Sequence, residues 1–294
     1  MVKAEGAVAR RLRRILLGAT LGGLFFFCAA AWAEQPLLVR YPNVNGMGAN
    51  GLGYRMLDLA LRQSGRPYRI ELQADSANPE RVRALLDSGQ VDVIDFGSTP
   101  DFERRFLPVY FPIDRGLNGW RLLVIRKQDR AAFDAVKSLA ELRHFIAGQG
   151  LGWPDADILR GAGLRVETFP QLSSLFLSLE ARRFDYLPLG MDEAYDLTHR
   201  YASDADTLFV EPRIVLIYPF GRLFFVRRGN AELRDLLDAG LRKAFANGQV
   251  QKLLASDPGY AEALRHGAPA LKLRLDNPGL TAAFKAIPAE YFLH

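Results

Sequence analysis

The 294-residue chain holds one cysteine, Cys28, and four histidines. Cys28 lies inside an apolar N-terminal run, so the chain beyond it has no disulfide, no thiolate metal ligand and no cysteine nucleophile. The histidines, His144, His199, His266 and His294, show no metal-ligand spacing. No Gly-x-Ser-x-Gly elbow is present, and no two of the many carboxylates are singled out as an acid/base couple. Internal repeats and low-complexity tracts are also missing. These absences argue against an enzyme, a bound metal or a cofactor, and leave stability to the burial of apolar side chains, which make up 49% of the residues.

What is present begins with an export signature. Lys3, Arg10, Arg11, Arg13 and Arg14 precede an apolar and small-residue run from Ile15 to Ala33 that ends in Ala31-Trp32-Ala33, a small-x-small cleavage site. Residues 1–33 therefore read as a signal peptide, with a mature chain starting at Glu34 in the periplasm. An uncleaved anchor is the alternative, since the run is roughly bilayer length. Residues 1–33 carry five of the 38 Lys/Arg and one of the 33 Asp/Glu, so the mature part keeps 33 basic and 32 acidic side chains, a net charge of about +1. The basic sequence pI of 9.4 belongs to the export segment and gives no reason to expect nucleic acid as a partner.

Beyond Pro36 the hydrophobic pattern alternates between strand and helix. Leu37 to Tyr41 reads as a strand, a loop rich in Asn and Gly runs to Gly53, and Tyr54, Leu57 and Leu61 mark a helix stopped by Ser64-Gly65-Arg66-Pro67. Tyr68–Leu72, Pro79–Ser88 and Val91–Phe96 continue as strand, helix and strand. A further strand over 119–126 leads to Ser138-Leu139-Ala140-Glu141, a capping box, and the α/β alternation repeats to about Tyr218. Glu232 to Asn247 is an amphipathic helix, and the tail from Tyr260 reads as helix and loop. This order predicts an α/β protein of two lobes, 34–125 plus 220–294 and 126–219, joined by two crossing strands that form a hinge.

Several short motifs carry a resemblance. They are Gly53-Tyr54-Arg55-Met56-Leu57, Arg83 to Val93 with its Gly turn and Val-Asp strand, Ser98-Thr99-Pro100 with Glu103-Arg104, Gly119-Trp120-Arg121-Leu122, Ser138 to Leu142, and Ala181-Arg182-Arg183-Phe184-Asp185-Tyr186. Taken in order, they resemble the type 2 periplasmic-binding-protein fold and, within it, the family 3 solute-binding proteins of polar amino acid uptake. The resemblance implies a monomer that captures a small polar, carboxylate-bearing ligand by lobe closure and hands it to the permease of an ABC-type importer. A sensor that presents its bound form to a membrane signalling receptor is the other function it implies.

The same resemblance marks candidate ligand contacts. Arg104 would clamp a carboxylate through two charge-assisted hydrogen bonds, with Arg105 the alternative one residue on. Gly97, Ser98 and Thr99 close a strand at its C-terminal end, where ligands of open α/β sheets gather. Tyr41 and Tyr54 stack on the ligand or belong to the core. Gln149, Gly150 and Gly152 form a turn ahead of a helix, suited to an anion or simply to turning the chain. Ser173, with Ser174, binds ligand or caps its helix. The family's ammonium-binding acid aligns with Gly190, so Asp192 or Glu193 would have to supply that charge.

Overall fold

The computed structural model describes residues 35–44, 46–77, 79–267 and 269–293. The signal-peptide reading lies outside them. No helix among the described residues is long and apolar enough to cross a membrane.

Alternating apolar residues build the first sheet group. Strand β1 (Leu37–Val44) runs parallel to β2 (Tyr68–Ala77), and β3 (Val93–Gly97) is antiparallel to β10 (Arg222–Val226), which also pairs with β4 (Leu107–Val109). At the β1/β3 border the Arg40 and Asp92 backbones exchange a bond from Asp92 N to Arg40 O at 2.9 Å, and the Asp92 carboxylate accepts from Arg40 Nε at 3.0 Å and Nη2 at 2.7 Å. Helix α1 (Leu52–Gln63) buries Met56, Leu57, Ala60 and Leu61, the face the i, i+4 spacing predicts. It packs on α9 (Ala231–Ala246) so closely that a Cβ on Gly240 would lie 2.2 Å from the Ala60 carbonyl oxygen. Only glycine permits that approach.

A second, six-stranded sheet has the order β11-β9-β5-β8-β6-β7, with β5 Trp120–Arg126, β6 Ile146–Gly150, β7 Arg165–Phe169, β8 Tyr186–Gly190, β9 Leu208–Ile217 and β11 Leu271–Arg274. Two short helices, Arg130–Asp134 and Leu139–Leu142, and three longer ones, α6 (Pro154–Gly161), α7 (Leu172–Glu180) and α8 (Ala194–Tyr201), lie between its strands from β5 to β9. The predicted capping box is present, Glu141 N donating to Ser138 Oγ at 3.3 Å and Lys137 N to Glu141 Oε2 at 2.6 Å. The chain passes from the first sheet group to the second through residues 110–119 and returns through 218–221. These two segments lie side by side, with Tyr218 N donating to Gly119 O at 3.1 Å.

Two segments sit differently from the sequence reading. Residues 120–126 belong to the second sheet, because β5 hydrogen-bonds β8 on one edge and β9 on the other. The tail at 271–274 is a strand of that same sheet, parallel to β9, because Leu273 and the following Leu275 are buried in the second lobe's apolar cluster. From there the tail crosses back. Asn277 Nδ2 donates to the Pro219 carbonyl at 3.0 Å, and Thr281 Oγ1 to Glu103 at 2.6 Å. Phe284 and Tyr291 then bury themselves in the first lobe.

Candidate functional site

The turn after β3 and the turn after β6 face one another across a cavity of about 310 Å3. Phe96, Ser98 and Thr99 line one wall, Leu151, Gly152 and Trp153 the other, and Pro278 of the crossing tail closes a side. Each wall has a sequence cause. Thr99 caps α3 (Pro100–Arg105), its hydroxyl accepting from Phe102 N at 3.2 Å, with Pro100 in the first turn where its missing N–H costs nothing. Gly152 adopts φ +77°, a left-handed turn that a side chain would strain, and Pro154 starts α6. Arg83, from α2 (Pro79–Asp87), also lines the cavity. Its Nη2 lies 3.5 Å from where a Cβ on Gly152 would sit, and its guanidinium stands 5.9 Å from the Phe96 ring centroid. Arg83 was part of the Arg83–Val93 motif and was not among the ligand contacts expected from the sequence.

At the hinge runs a buried polar chain, none of whose members is in the lining of this cavity. Tyr41 donates to Asp95, which also holds Arg222 in an ion pair. Asp114, fully buried, accepts from the backbones of Gly116 (3.1 Å), Asn118 (3.1 Å) and Arg222 (3.2 Å). Arg121 reaches Asn118 Oδ1 at 2.8 Å, Asp155 Oδ1 at 2.6 Å, Tyr218 Oη at 3.0 Å and Glu193 Oε1 at 3.5 Å. Tyr218 in turn donates to Asp155. The chain therefore ties β1, β3 and β10 of the first lobe to α6 and the turn after β8 of the second.

Charge in this chain is unbalanced. Two guanidiniums, Arg121 and Arg222, face the carboxylates of Asp95, Asp114, Asp155, Asp192 and Glu193. Burial and the Asp192 charge push the Asp114 carboxyl up, against the pull of Arg222. The same two causes push Glu193 up to about 7, although Arg121 opposes them. Asp192 Oδ1 is buried and accepts no hydrogen bond among the described residues. Glu193 keeps 39% of its side-chain surface accessible. A protonated carboxyl or an incoming cation would relieve this excess.

The sequence-predicted contacts divide accordingly. Ser98, Thr99 and Gly152 meet at the cavity, and Tyr41 and Asp192 belong to the polar chain. Tyr54 stands edge-on to Tyr41 with ring centroids 6.1 Å apart. Gln149 is buried, donating to the Pro188 carbonyl at 3.0 Å, while its Oε1 has no partner among the described residues. Gly97 and Gly150 are covered by the protein's own rings: a Cβ would stand 2.2 Å from Phe220 on the first and 2.3 Å from Trp153 on the second. Ser173 is exposed on α7, outside the cavity lining. Arg104 is 71% exposed and pairs with Asp101 at 3.1 Å, and Arg105 pairs with Asp87 and Asp101. Neither arginine lines the cavity, because Phe102 takes the inward position of α3 and stacks on Phe96 at 4.8 Å.

Neither the known family models nor the curated proteins match the sequence. Solved structures do. An ancestral arginine-binding protein bound to arginine is similar at 17% identity and TM-score 0.55, covering 75% of this chain and 98% of that one. An amino acid ABC transporter substrate-binding protein, AbpA from Streptococcus pneumoniae bound to L-arginine, is similar at 15% identity and TM-score 0.56, covering 77% and 95%. A histidine kinase sensor domain with similarity to periplasmic binding proteins reaches 18% identity and TM-score 0.56, covering 77% and 97%. With its three sheets, paired crossing segments and facing turns, the chain has the two-lobed fold of these periplasmic-binding-protein structures.

Proposed function

We propose that the mature chain is an exported solute-binding protein. It closes its lobes on a small amino-acid-like ligand, leaves it chemically unchanged, and delivers it to the permease of an ABC-type importer. The observation that carries this reading is the cavity between the facing turns of the two lobes, and the hinge-side acidic cluster, with five carboxylates facing two guanidiniums, supports it. A ligand with a carboxylate at one end and an ammonium or guanidinium at the other suits both. Arg83 and the Ser98–Thr99 turn would take the carboxylate, and Asp192 with Glu193 the cation. A cavity of about 310 Å3 is at the lower end of the range of roughly 300–1,000 Å3 typical of small-molecule sites.

Because that cluster joins both lobes, a cation placed there would strengthen the closed form more than the open one, which is what a binding-driven closure requires. Calorimetric titration of the chain from Glu34 onward with L-arginine, the other amino acids, small carboxylates and amines tests the reading. Binding confined to ligands with a cationic group supports it, and no heat from any member of the panel counts against it.

A sensory role shares the same pocket, and the likeness to a histidine kinase sensor domain favours keeping it as the second reading. Neighbouring genes separate the two: a permease and ATPase for import, a kinase or cyclase for signalling.

A further inference from the structure

On the other side of the crossing tail lies a second and larger cavity, of about 1000 Å3. It shares only Asn277 and Pro278 with the inter-lobe cavity, so the tail is a wall common to both. Its floor is apolar, formed by Trp120 at the start of β5, Phe220 of the returning crossing segment, and Phe284, Ile287 and Phe292 of the tail. Its rim is cationic.

The β11 strand explains the rim. Leu271 and Leu273 turn toward the second lobe's core, so the alternation of the strand brings Lys272 and Arg274 together on its other face, where both line the cavity. Lys285 joins them from α12 (Ala282–Lys285). Among the described residues none of these three cations forms an ion pair, whereas the Lys272 ammonium stands 5.5 Å from the Trp120 ring centroid. The remaining arginine, Arg115, is occupied in anchoring the tail through the carbonyls of Glu290 (3.1 Å) and Phe292 (2.9 Å). Among the described residues, Asp276 is the single carboxylate in the lining.

We infer that this cavity is a second binding site, for an amphiphilic anion: a carboxylate or related acidic head held by Lys272, Arg274 and Lys285, with an aliphatic or aromatic body lying on Trp120, Phe220 and Phe284. Apolar burial drives such binding and the cations select the sign of the head group. The site is independent of the solute proposed for the inter-lobe cavity.

Decanoate, used below its micelle-forming concentration, is the probe, and decyltrimethylammonium, with the same chain and the opposite charge, is its control. Calorimetry should give one decanoate per chain and at least tenfold weaker binding of the cation. Lys272→Glu with Arg274→Glu should weaken decanoate at least tenfold. Both side chains are exposed and form no ion pair among the described residues, so the fold should persist, and Lys285→Glu gives an independent second variant. Lys252→Glu, an exposed cation on α10 (Gln249–Ala255) outside the lining, should change nothing. Failure of decanoate to bind, equal binding of both amphiphiles, or decanoate binding unaffected by all the rim reversals would overturn the assignment.

Discussion

Replacing Arg121 by methionine should cost the fold more than any surface change. The Arg121 and Asp155 side chains are 4% and 5% exposed, and their nitrogen and oxygen lie 2.6 Å apart. Without the guanidinium, Asp155 keeps the Tyr218 hydroxyl but loses its only ion-pair partner among the described residues. At an effective dielectric of about 20, two unit charges about 4 Å apart attract by about 4 kcal/mol. Breaking one side of a buried pair typically costs about 3–5 kcal/mol, because the other charge stays desolvated. For a chain of this size each kcal/mol moves the melting temperature by about 2–4 °C, so Arg121→Met should melt about 6–20 °C below wild type. Thermal melting and urea unfolding at neutral pH measure the loss. Adding Asp155→Leu should recover at least about 1 kcal/mol, since an apolar replacement of both partners leaves no stranded charge. A single variant melting within about 2 °C of wild type would refute the reasoning.

Three other outcomes follow from the site. Glu193, pushed up to about 7, lies above the unfolded glutamate value of about 4.3. Its contribution to ligand-free stability is therefore full below about pH 4.3 and is lost as pH rises through about 7, which melting against pH reads. A cationic ligand requires the ionised form, so L-arginine should bind more tightly at about pH 8 than at about pH 6 and release protons on binding; pH-independent affinity would contradict this. Arg83→Ala should weaken a carboxylate ligand by about 2–5 kcal/mol, roughly 30-fold or more, while Arg104→Ala and Arg105→Ala stay near wild type; the reverse order would return the clamp to the turn. Gly259→Ala places a Cβ 2.0 Å from the carbonyl oxygen of Asp192, the proposed cation acceptor, a contact between the two lobes, so it should lower ligand affinity at least tenfold. Unchanged affinity there would mean that the 259–192 contact plays no part in closure.

Much of the fold was legible because local patterns decide it. The helical spacing of Tyr54, Leu57 and Leu61, the Ser138/Glu141 capping box and the short apolar strands each specify an element without reference to distant residues. β11 was not legible. Four residues of alternating Leu and basic side chains read equally well as loop, and only pairing with β9 makes them a strand. The lining of the inter-lobe cavity was legible in part for the same reason. Ser98, Thr99 and Gly152 follow from turn chemistry, whereas the choice of arginine depended on which side of a six-residue helix faces inward. An aromatic at Phe102 was the available signal that this side is apolar. The Arg121–Asp155 pair links residues 34 apart in sequence, and the Arg222–Asp95 pair residues 127 apart. Nothing local announces either. The first depends on how α6 packs against β5, and the second on the pairing of β10 with β3.

The central claim is closure of two lobes around a cation-bearing solute, and solution scattering of the mature chain tests it most directly. Recorded with and without the tightest ligand of the calorimetric panel, the radius of gyration should fall on saturation, and Glu193→Gln with Asp192→Asn should remove both the binding and the compaction. Saturated protein with an unchanged radius of gyration, or compaction that survives neutralising both acids, would contradict it.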